Sequence, residues 1–314
     1  MSTFNKSYNR FASVAGQYYP AGKQELEAEL TRLFSGAVQP QSDAVRAIIT
    51  PHSSYLFSGK IAASAYSQVN RHKAYKRIFV LTSSRLDSFI GASVFCNGDY
   101  VVPNGIAEVD TLFSKQLASE HPNLFRDART PHFHEHSIEV QLPFLLHHLT
   151  QPFKIVPIVL GTHTPEICRQ LARVLKPELN EDNLFVIASD FSTLLPSSLA
   201  QRLDDETWQA IGSNKPDKLL KVLENHERQK YPGYKNSLTN WSAVLTLLYM
   251  TTGNPEWVYN PIDQCNSGDI PYYGNHEKVT GFRALALVQQ TLTEEEKKRL
   301  SGNLISKLKG FFKR

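Results

Sequence analysis

Cysteine is scarce in this sequence, and its spacing excludes two common ways of stabilising a fold. The three cysteines are Cys96, Cys168 and Cys265, and no two of them form a CxxC pair. Disulfide frameworks and thiolate zinc sites both need cysteines at paired spacings. We therefore expect neither, and we expect these side chains to be small buried hydrophobic groups.

Long apolar runs are missing as well. A membrane-spanning helix needs about 18 or more consecutive apolar residues, and no window of the sequence approaches this. The first residues, MSTFNKSYNRFASV, lack the apolar stretch of a secretion signal. The sequence predicts a soluble, cytoplasmic protein.

Charge of one sign dominates only near the end of the chain. Lys and Arg number 34 against 30 Asp and Glu, so the net charge is +4. Residues 297–314 include seven basic residues and no acidic one, and subtracting these seven leaves −3 for the rest. Nucleic-acid binding is therefore not expected. The basic tail, residues 291–314, is either a solvated end or a segment that contacts an anionic membrane surface.

Hydrophobic patterning predicts an α/β fold. Continuous apolar runs predict buried strands at residues 44–50, 77–82, 153–160 and 183–189. Helical patterns occur at residues 24–34, 60–70, 110–120, 137–149, 165–175, 216–228 and 241–251. Two short runs, 92–95 and 100–103, flank an Asn-Gly pair and predict a hairpin at the sheet edge. Late strands at 257–259 and 280–288 complete the sheet.

Buried strands that alternate with helices indicate a mixed, largely parallel central sheet covered by helices on both faces. No linker rich in Pro, Gly or Ser divides the chain, and no internal repeat occurs. Residues 1–290 are therefore predicted to form a single α/β domain, which the basic tail follows.

Polar segments follow three of the predicted strands, at the ends where ligands bind in open α/β sheets. Pro51-His52-Ser53-Ser54-Tyr55 follows the first strand, Ser83-Ser84-Arg85-Leu86-Asp87 the second, and Ser189-Asp190-Phe191-Ser192-Thr193 the fourth. If these strands are parallel neighbours, His52, Arg85 and Asp190 converge on one edge of the sheet.

Alternating histidines form a fourth polar segment. In an extended chain His132, His134 and His136 point to the same side, beside the carboxylate of Glu135. Imidazoles with a nearby carboxylate are ligands that zinc and iron prefer. The other interpretation is a solvated loop ahead of the helix at 137–149, and both interpretations stay open at this point.

Several stretches, taken in order along the chain, resemble the Memo family, also called AmmeMemoRadiSam system protein B. They are ASVAGQYYP (12–20), PHSSYLFSG (51–59), RIFVL (77–81), EHSIEVQLP (135–143), SDF (189–191) and VTG (279–281). The resemblance implies a fold similar to the class III extradiol ring-cleaving dioxygenases, which hold non-haem iron in a cleft at the strand ends. It also implies links to copper or iron binding, to redox chemistry and, for animal members, to phosphotyrosine peptides. For bacterial members it implies an AMMECR1-type protein and a radical-SAM protein as partners.

The chain departs from the family pattern at the metal-binding positions. The resemblance places three metal ligands at His52, at Arg85, where the family has His, and at Thr239, where the family has Cys. Thr193 replaces a His that matches the catalytic base of the dioxygenases. One ligand of three does not hold a transition metal tightly, and Arg85 adds a fixed positive charge. We expect no metal and no cofactor, with iron or copper as the alternative.

We expect a non-catalytic binding or scaffold protein whose cleft accepts a small anion or a peptide. The alternatives are a metal-dependent redox or dioxygenase-like enzyme and a metal-independent acid–base enzyme that acts on an anionic substrate. The candidate ligand-binding residues are His52, Tyr55, Arg85, Thr193 and Thr239, and the candidate catalytic residues are His52, Glu135, His136 and Asp190.

Three questions stay open for these residues. Arg85 either binds an anion or pairs with Asp190. Glu135 and His136 either contact the ligand or only fix the loop ahead of the helix at 137–149. Tyr55 provides either a stacking surface or part of the core.

Overall fold

A computed structural model describes residues 8–161, 164–271 and 275–293. The α-helices are α1 (Lys23–Ser35), α2 (Tyr55–Ser67), α3 (Thr111–Glu120), α4 (Thr130–His134), α5 (Leu142–His148), α6 (Pro165–Leu175), α7 (Ser197–Gly212), α8 (Pro216–Arg228) and α9 (Trp241–Thr251). The strands are β1 (Arg10–Phe11), β2 (Val45–Thr50), β3 (Arg77–Ser83), β4 (Ala92–Val94), β5 (Tyr100–Val102), β6 (Gly105–Ala107), β7 (Phe125–Arg126), β8 (Ile155–Leu160), β9 (Asn183–Ala188), β10 (Trp257–Asn266) and β11 (Gly281–Gln289). Short 3-10 helices occupy Glu139–Gln141, Lys176–Glu178 and Ser267–Asp269.

The main sheet has eight strands in the order β10-β11-β2-β9-β3-β8-β4-β7. Its centre, β2-β9-β3-β8, is parallel. The strands β11, β10 and β4 run antiparallel to their neighbours β2, β11 and β8. The predicted mixed sheet of a single α/β domain is therefore confirmed. A smaller sheet, β1-β5-β6, lies beside it.

Hydrophobic cores lie on both faces of the main sheet, which explains the continuous apolar runs in its central strands. Along β3, Ile78 and Val80 face one core, whereas Phe79 and Leu81 face the other. Helices α1, α2 and α5 cover the first face, and α3, α6 and α9 cover the second. A strand that is buried on both sides needs apolar residues at every position, because successive side chains point to opposite faces.

The predicted hairpin at 92–95 and 100–103 is wrong. Strand β4 pairs antiparallel with β8 in the main sheet, whereas β5 pairs with β1 and β6 in the smaller one. Gly98 does make a turn, with φ of 106°. The two flanking strands leave this turn towards different partners, and the hairpin forms one turn later, between β5 and β6.

Helix prediction failed at three places. Helices α4 and α7 were not predicted at all, and the predicted helix at 137–149 is a 3-10 turn, Glu139–Gln141, followed by α5. In α7 the buried positions include the polar residues Asp204 and Thr207. The buried face is therefore not a continuous apolar stripe, which is the pattern that predicts an amphipathic helix.

Among the described residues, no helix is long and apolar enough to cross a membrane. The basic segment 297–314 lies outside the described residues, and its role stays a prediction.

Candidate functional site

The carboxyl ends of β2, β9 and β3 carry His52, Asp190 and Arg85, and because these strands are parallel neighbours the three residues lie at one edge of the sheet, which we call the cleft. The backbone N–H of His52 donates a hydrogen bond to Asp190 Oδ1 at 2.9 Å. The imidazole Nε2 of His52 lies 3.7 Å from Asp190 Oδ2. Adjacent strand ends thus place an imidazole beside a carboxylate, as the sequence predicts.

Thr239 and Ser53 fix the position of Asp190. The Thr239 hydroxyl accepts a hydrogen bond from the Asp190 backbone N–H at 3.0 Å and donates one to its carbonyl at 3.1 Å. The Ser53 hydroxyl donates to Asp190 Oδ2 at 2.6 Å. Both residues therefore hold the aspartate in place, and the Thr239 hydroxyl is engaged with protein backbone.

Arg85 pairs with Glu135, and not with Asp190 as one of the two interpretations of the sequence had it. Its Nη2 lies 3.0 Å from Glu135 Oε1, and its Nε lies 3.3 Å from Oε2. Among the described residues Nη1 makes no hydrogen bond, and the side chain is 40% exposed. The guanidinium is thus held on one edge and open on the other.

Glu135 is almost completely buried and holds its negative charge there. Its Oε1 also accepts hydrogen bonds from the Ser137 backbone at 2.9 Å and from the Ser137 hydroxyl at 2.6 Å. Burial alone would raise the pKa of Glu135, but Arg85 and Ser137 outweigh burial and hold the pKa below its usual value. The carboxylate therefore both fixes the loop at 135–137 and anchors the guanidinium in the cleft.

His136 lies beside Arg85 and near His52 in the cleft. Its ring nitrogens lie 3.2 and 3.1 Å from Arg85 Nη2, and its ring centroid is 4.4 Å from that of Tyr18 and 6.3 Å from that of His52. Burial, reinforced by the charge of Arg85, lowers the pKa of His136 to about 4. The imidazole is therefore neutral near pH 7.

His52 is also neutral near pH 7, because burial lowers its pKa and outweighs the opposing effect of Asp190. The side chain is only 2% exposed. Its Nδ1 atom is buried and has no hydrogen-bond partner in the described part of the chain. A buried imidazole nitrogen without a partner costs free energy.

Two further predicted ligand-binding residues lie away from this contact network. Tyr55 is 4% exposed, its hydroxyl donates to the Val140 carbonyl at 2.7 Å, and its ring packs on Phe144. It belongs to the core, so its ring is not a stacking surface. Thr193 is half-buried beyond Asp190, and its hydroxyl lies 3.4 Å from Asn236 Oδ1.

The predicted alternation of His132, His134 and His136 on one side of an extended chain is wrong. Residues Thr130–His134 form helix α4, so His132 and His134 lie on a helix and not on an extended chain. His132 is buried, with its Nδ1 2.9 Å from the Tyr100 hydroxyl, whereas exposed His134 lies 3.1 Å from Asp87. The three side chains therefore do not form one site.

The described cleft residues do not fit a transition-metal ion. Over residues 8–161, 164–271 and 275–293, no group of three or more His, Cys, Asp or Glu side chains is placed to hold one. The Thr239 hydroxyl is already used by Asp190. A metal cation beside His52 would also meet the positive charge of Arg85 at close range. No catalytic step through a metal follows from these residues.

An internal clasp next to the cleft involves residues that sequence reasoning missed. Buried Arg10 pairs with buried Glu139, and the Glu139 carboxylate also accepts hydrogen bonds from the Tyr19 hydroxyl at 2.6 Å and from the backbone of Ser13 and Val14. Arg10 Nε donates to the His132 carbonyl at 3.1 Å. The clasp joins the ASVAGQYYP and EHSIEVQLP stretches. The presence of both stretches in one sequence was the feature that could have indicated a contact between them.

A polar cleft at the carboxyl ends of a parallel sheet is the type of site that open α/β domains use for ligands. A family model described as Memo-like protein matches residues 10–250, and the chain belongs to this family. A MEMO1 family protein of Thermoplasma acidophilum is 26% identical over 279 residues, which are 89% of this chain and 98% of that protein. One from Aquifex aeolicus is 32% identical over 197 residues, or 62% of this chain and 72% of that protein.

A third relative, a MEMO1 family protein of Methanosarcina barkeri, is 32% identical over 206 residues, which are 64% of this chain and 74% of that protein. Among solved structures, an uncharacterized protein, JW3007, from Escherichia coli K12 is similar with a TM-score of 0.46 and 14% identity. The match covers 77% of this chain and 99% of that one.

Proposed function

We propose that this Memo-family chain is a binding protein whose cleft takes a small anionic group, such as a carboxylate or a phosphate, at the open edge of Arg85. One observation carries the proposal: the Arg85 guanidinium is anchored by buried Glu135 and remains 40% exposed. A planar guanidinium that is fixed on one edge can offer parallel N–H groups to an anion on the other.

The charges in the cleft predict how strongly it binds an anion. Glu135 balances Arg85, and both His52 and His136 are neutral near pH 7 because burial lowers the pKa of each. An anion in the cleft would therefore be held by directed hydrogen bonds from the guanidinium and not by a net positive charge. We therefore expect modest affinity for a free anion.

The proposal includes the loss of the metal site that the family resemblance implies. Arg85 and Thr239 stand at two of the three implied ligand positions, and both are engaged with other groups of the protein. Such a cleft supports binding without a resident iron or copper ion.

Metal analysis tests this part of the proposal. We would measure iron, copper and zinc per chain in untagged protein purified under nitrogen, for the wild type and for Arg85→His combined with Thr239→Cys. The control is Arg169→His, which changes an exposed arginine on α6. We expect less than a tenth of a metal ion per chain in the wild type and control, and uptake by the double variant. About one metal ion per wild-type chain would overturn the proposal.

Ligand titration tests the anion site itself. Sulfate and acetate would be titrated into the wild type, Arg85→Gln and the control Arg169→Gln, with chemical shifts of the histidine rings as the readout. The proposal predicts that the His136 and His52 signals move with saturation in the wild type and control, and that Arg85→Gln weakens binding at least tenfold. Equal binding by all three proteins would contradict an anion site at Arg85.

A metal-independent acid–base enzyme is a second candidate, favoured by the contact between His52 and Asp190. The carboxylate lies 3.7 Å from Nε2, while Nδ1 has no partner among the described residues. A carboxylate that orients an imidazole is a common arrangement for a general base. Turnover of an anionic substrate that disappears in His52→Gln would favour this candidate over the binding protein.

A further inference from the structure

A polar pocket lies outside the cleft, where α7 meets β10 and β11. Its volume is about 230 Å³, which is below the size of the pockets that hold drug-sized ligands. Asp204 and Arg283 are its buried charged residues, and Gln201, Gln264 and Asp269 line it nearer the surface. The arginine and histidines of the cleft do not contribute to its lining.

Asp204 is a buried carboxyl group that lacks a cationic partner. It is 4% exposed, and Oδ1 accepts a hydrogen bond from the Ser192 backbone N–H at 3.0 Å. It forms no ion pair with any described Lys, Arg or His. A Cβ atom at position 281 would lie 1.7 Å from its Oδ2, so Gly281 is what leaves room for this carboxyl group. Burial raises the pKa of Asp204 to about 7.

Arg283 is a buried cation that is only partly engaged. Its side chain is 6% exposed, and its Nη2 pairs with Asp205, whose side chain is 46% exposed. A guanidinium has five N–H groups in a planar fork, and this one contact uses only part of them. Arg283 and Asp204 line the same pocket without forming an ion pair with each other.

We propose that this pocket binds a small zwitterion of the size of a free amino acid, with the ligand carboxylate on Arg283 and the ligand ammonium on Asp204. Opposite charges that face one small pocket, but do not pair with each other, match a ligand that carries both charges. Guanidinium binds carboxylate through two parallel hydrogen bonds. The exposed side chains of Gln201 and Gln264 provide further donors and acceptors where a ligand side chain would emerge.

Calorimetric titration with the twenty common amino acids, one at a time and up to 10 mM, tests the proposal on the full-length protein. We expect at least one of them to bind the wild type, and we expect Asp204→Asn to weaken that binding at least tenfold. The variant should fold, because Asn has nearly the size and shape of Asp and keeps an oxygen that can accept the Ser192 N–H hydrogen bond. The control is Asp217→Asn, an exposed residue on α8, and we expect it to bind as the wild type does.

Analogues of the bound amino acid separate its two charged groups. The matching amine without a carboxylate and the matching acid without an amine should each bind at least tenfold more weakly than the zwitterion. Full affinity for either analogue would overturn the zwitterion assignment. Lack of binding by all twenty amino acids, or unchanged binding by Asp204→Asn, would also overturn it. None of these outcomes depends on Arg85, so the test is independent of the anion site in the cleft.

Discussion

Arg10 and Glu139 form an ion pair in which both side chains are almost fully removed from water, with exposures of 1% and 0%. The pair joins strand β1, near the start of the described chain, to the turn that precedes α5. Glu139 also accepts hydrogen bonds from Ser13, Val14 and Tyr19. Burial would raise the pKa of Glu139, but Arg10 and these donors outweigh it and lower the pKa. The segment that carries Glu135 and His136 is therefore held by a charged clasp.

Replacing Glu139 by Gln should lower the free energy of unfolding by about 3 to 5 kcal/mol, because the change leaves the Arg10 charge buried without its partner. Urea denaturation monitored by tryptophan fluorescence measures the difference. The control is Glu29→Gln, which breaks an exposed pair with Arg32 on α1 and should cost less than about 1 kcal/mol. A loss from Glu139→Gln as small as that of the control would show that the clasp does not stabilise the fold.

His132 predicts how stability depends on pH. Burial lowers the pKa of His132 to about 3, below the unfolded value of about 6.5. Between pH 4 and 6 the unfolded chain therefore binds a proton that the folded chain does not, and stability from this residue falls as the pH falls. The expected slope is about 1.4 kcal/mol per pH unit at the lower end of this window.

Unfolding free energies at several pH values between 4 and 6 test this dependence on His132. In His132→Asn the slope of stability against pH should decrease, by up to about 1.4 kcal/mol per pH unit at the lower end of this range, whatever the variant does to stability at pH 7. His134→Asn changes an exposed neighbour and should keep the wild-type slope. Equal slopes in both variants would contradict a neutral, buried His132.

The strands could be predicted because their burial is a local property of the sequence. Strand β9, Asn183–Ala188, is buried at every position, and its apolar run ends where the polar Ser189-Asp190 begins. Helix α7 could not be predicted in the same way, because its buried face includes Asp204 and Thr207. The hairpin prediction was wrong because β4 pairs with β8, a strand about 60 residues away. An Asn-Gly pair indicates a turn, but it carries no information on distant strands that compete for the pairing.

The candidate site could likewise be predicted only where its contacts depend on the strands. His52 and Asp190 come together because their strands are parallel neighbours; hydrophobic patterning predicts the strands, and the structure adds which of them are neighbours. The pairing of Arg85 with Glu135 was not predicted, because Glu135 follows helix α4 rather than a strand. Arg10 of the clasp donates hydrogen bonds to the carbonyls of His132 and Glu135 at the end of that helix, and such contacts between distant parts of the chain are not visible in a local sequence pattern.

Thr239 provides a test of how Asp190 is held. Thr239→Val removes the hydroxyl that contacts both the N–H and the carbonyl of Asp190, and it should lower the unfolding free energy by about 1 to 3 kcal/mol. Thr239→Ser keeps the hydroxyl and should cost less than about 1 kcal/mol. Urea denaturation measures the unfolding free energy of both variants. An equal decrease in the two would show that the hydrogen bonds of the hydroxyl do not stabilise the fold at this position.

The neutral His136 predicts that anion binding in the cleft strengthens as the pH falls. A bound anion favours the protonated imidazole, whose pKa in the free protein is about 4, so binding takes up a proton. By linkage, affinity should rise between pH 7 and pH 4.5, by at most about tenfold per pH unit. Sulfate is the suitable probe, because its own charge stays constant over this range. His136→Gln should bind sulfate with a weaker pH dependence, and an unchanged dependence in this variant would assign the proton to another group.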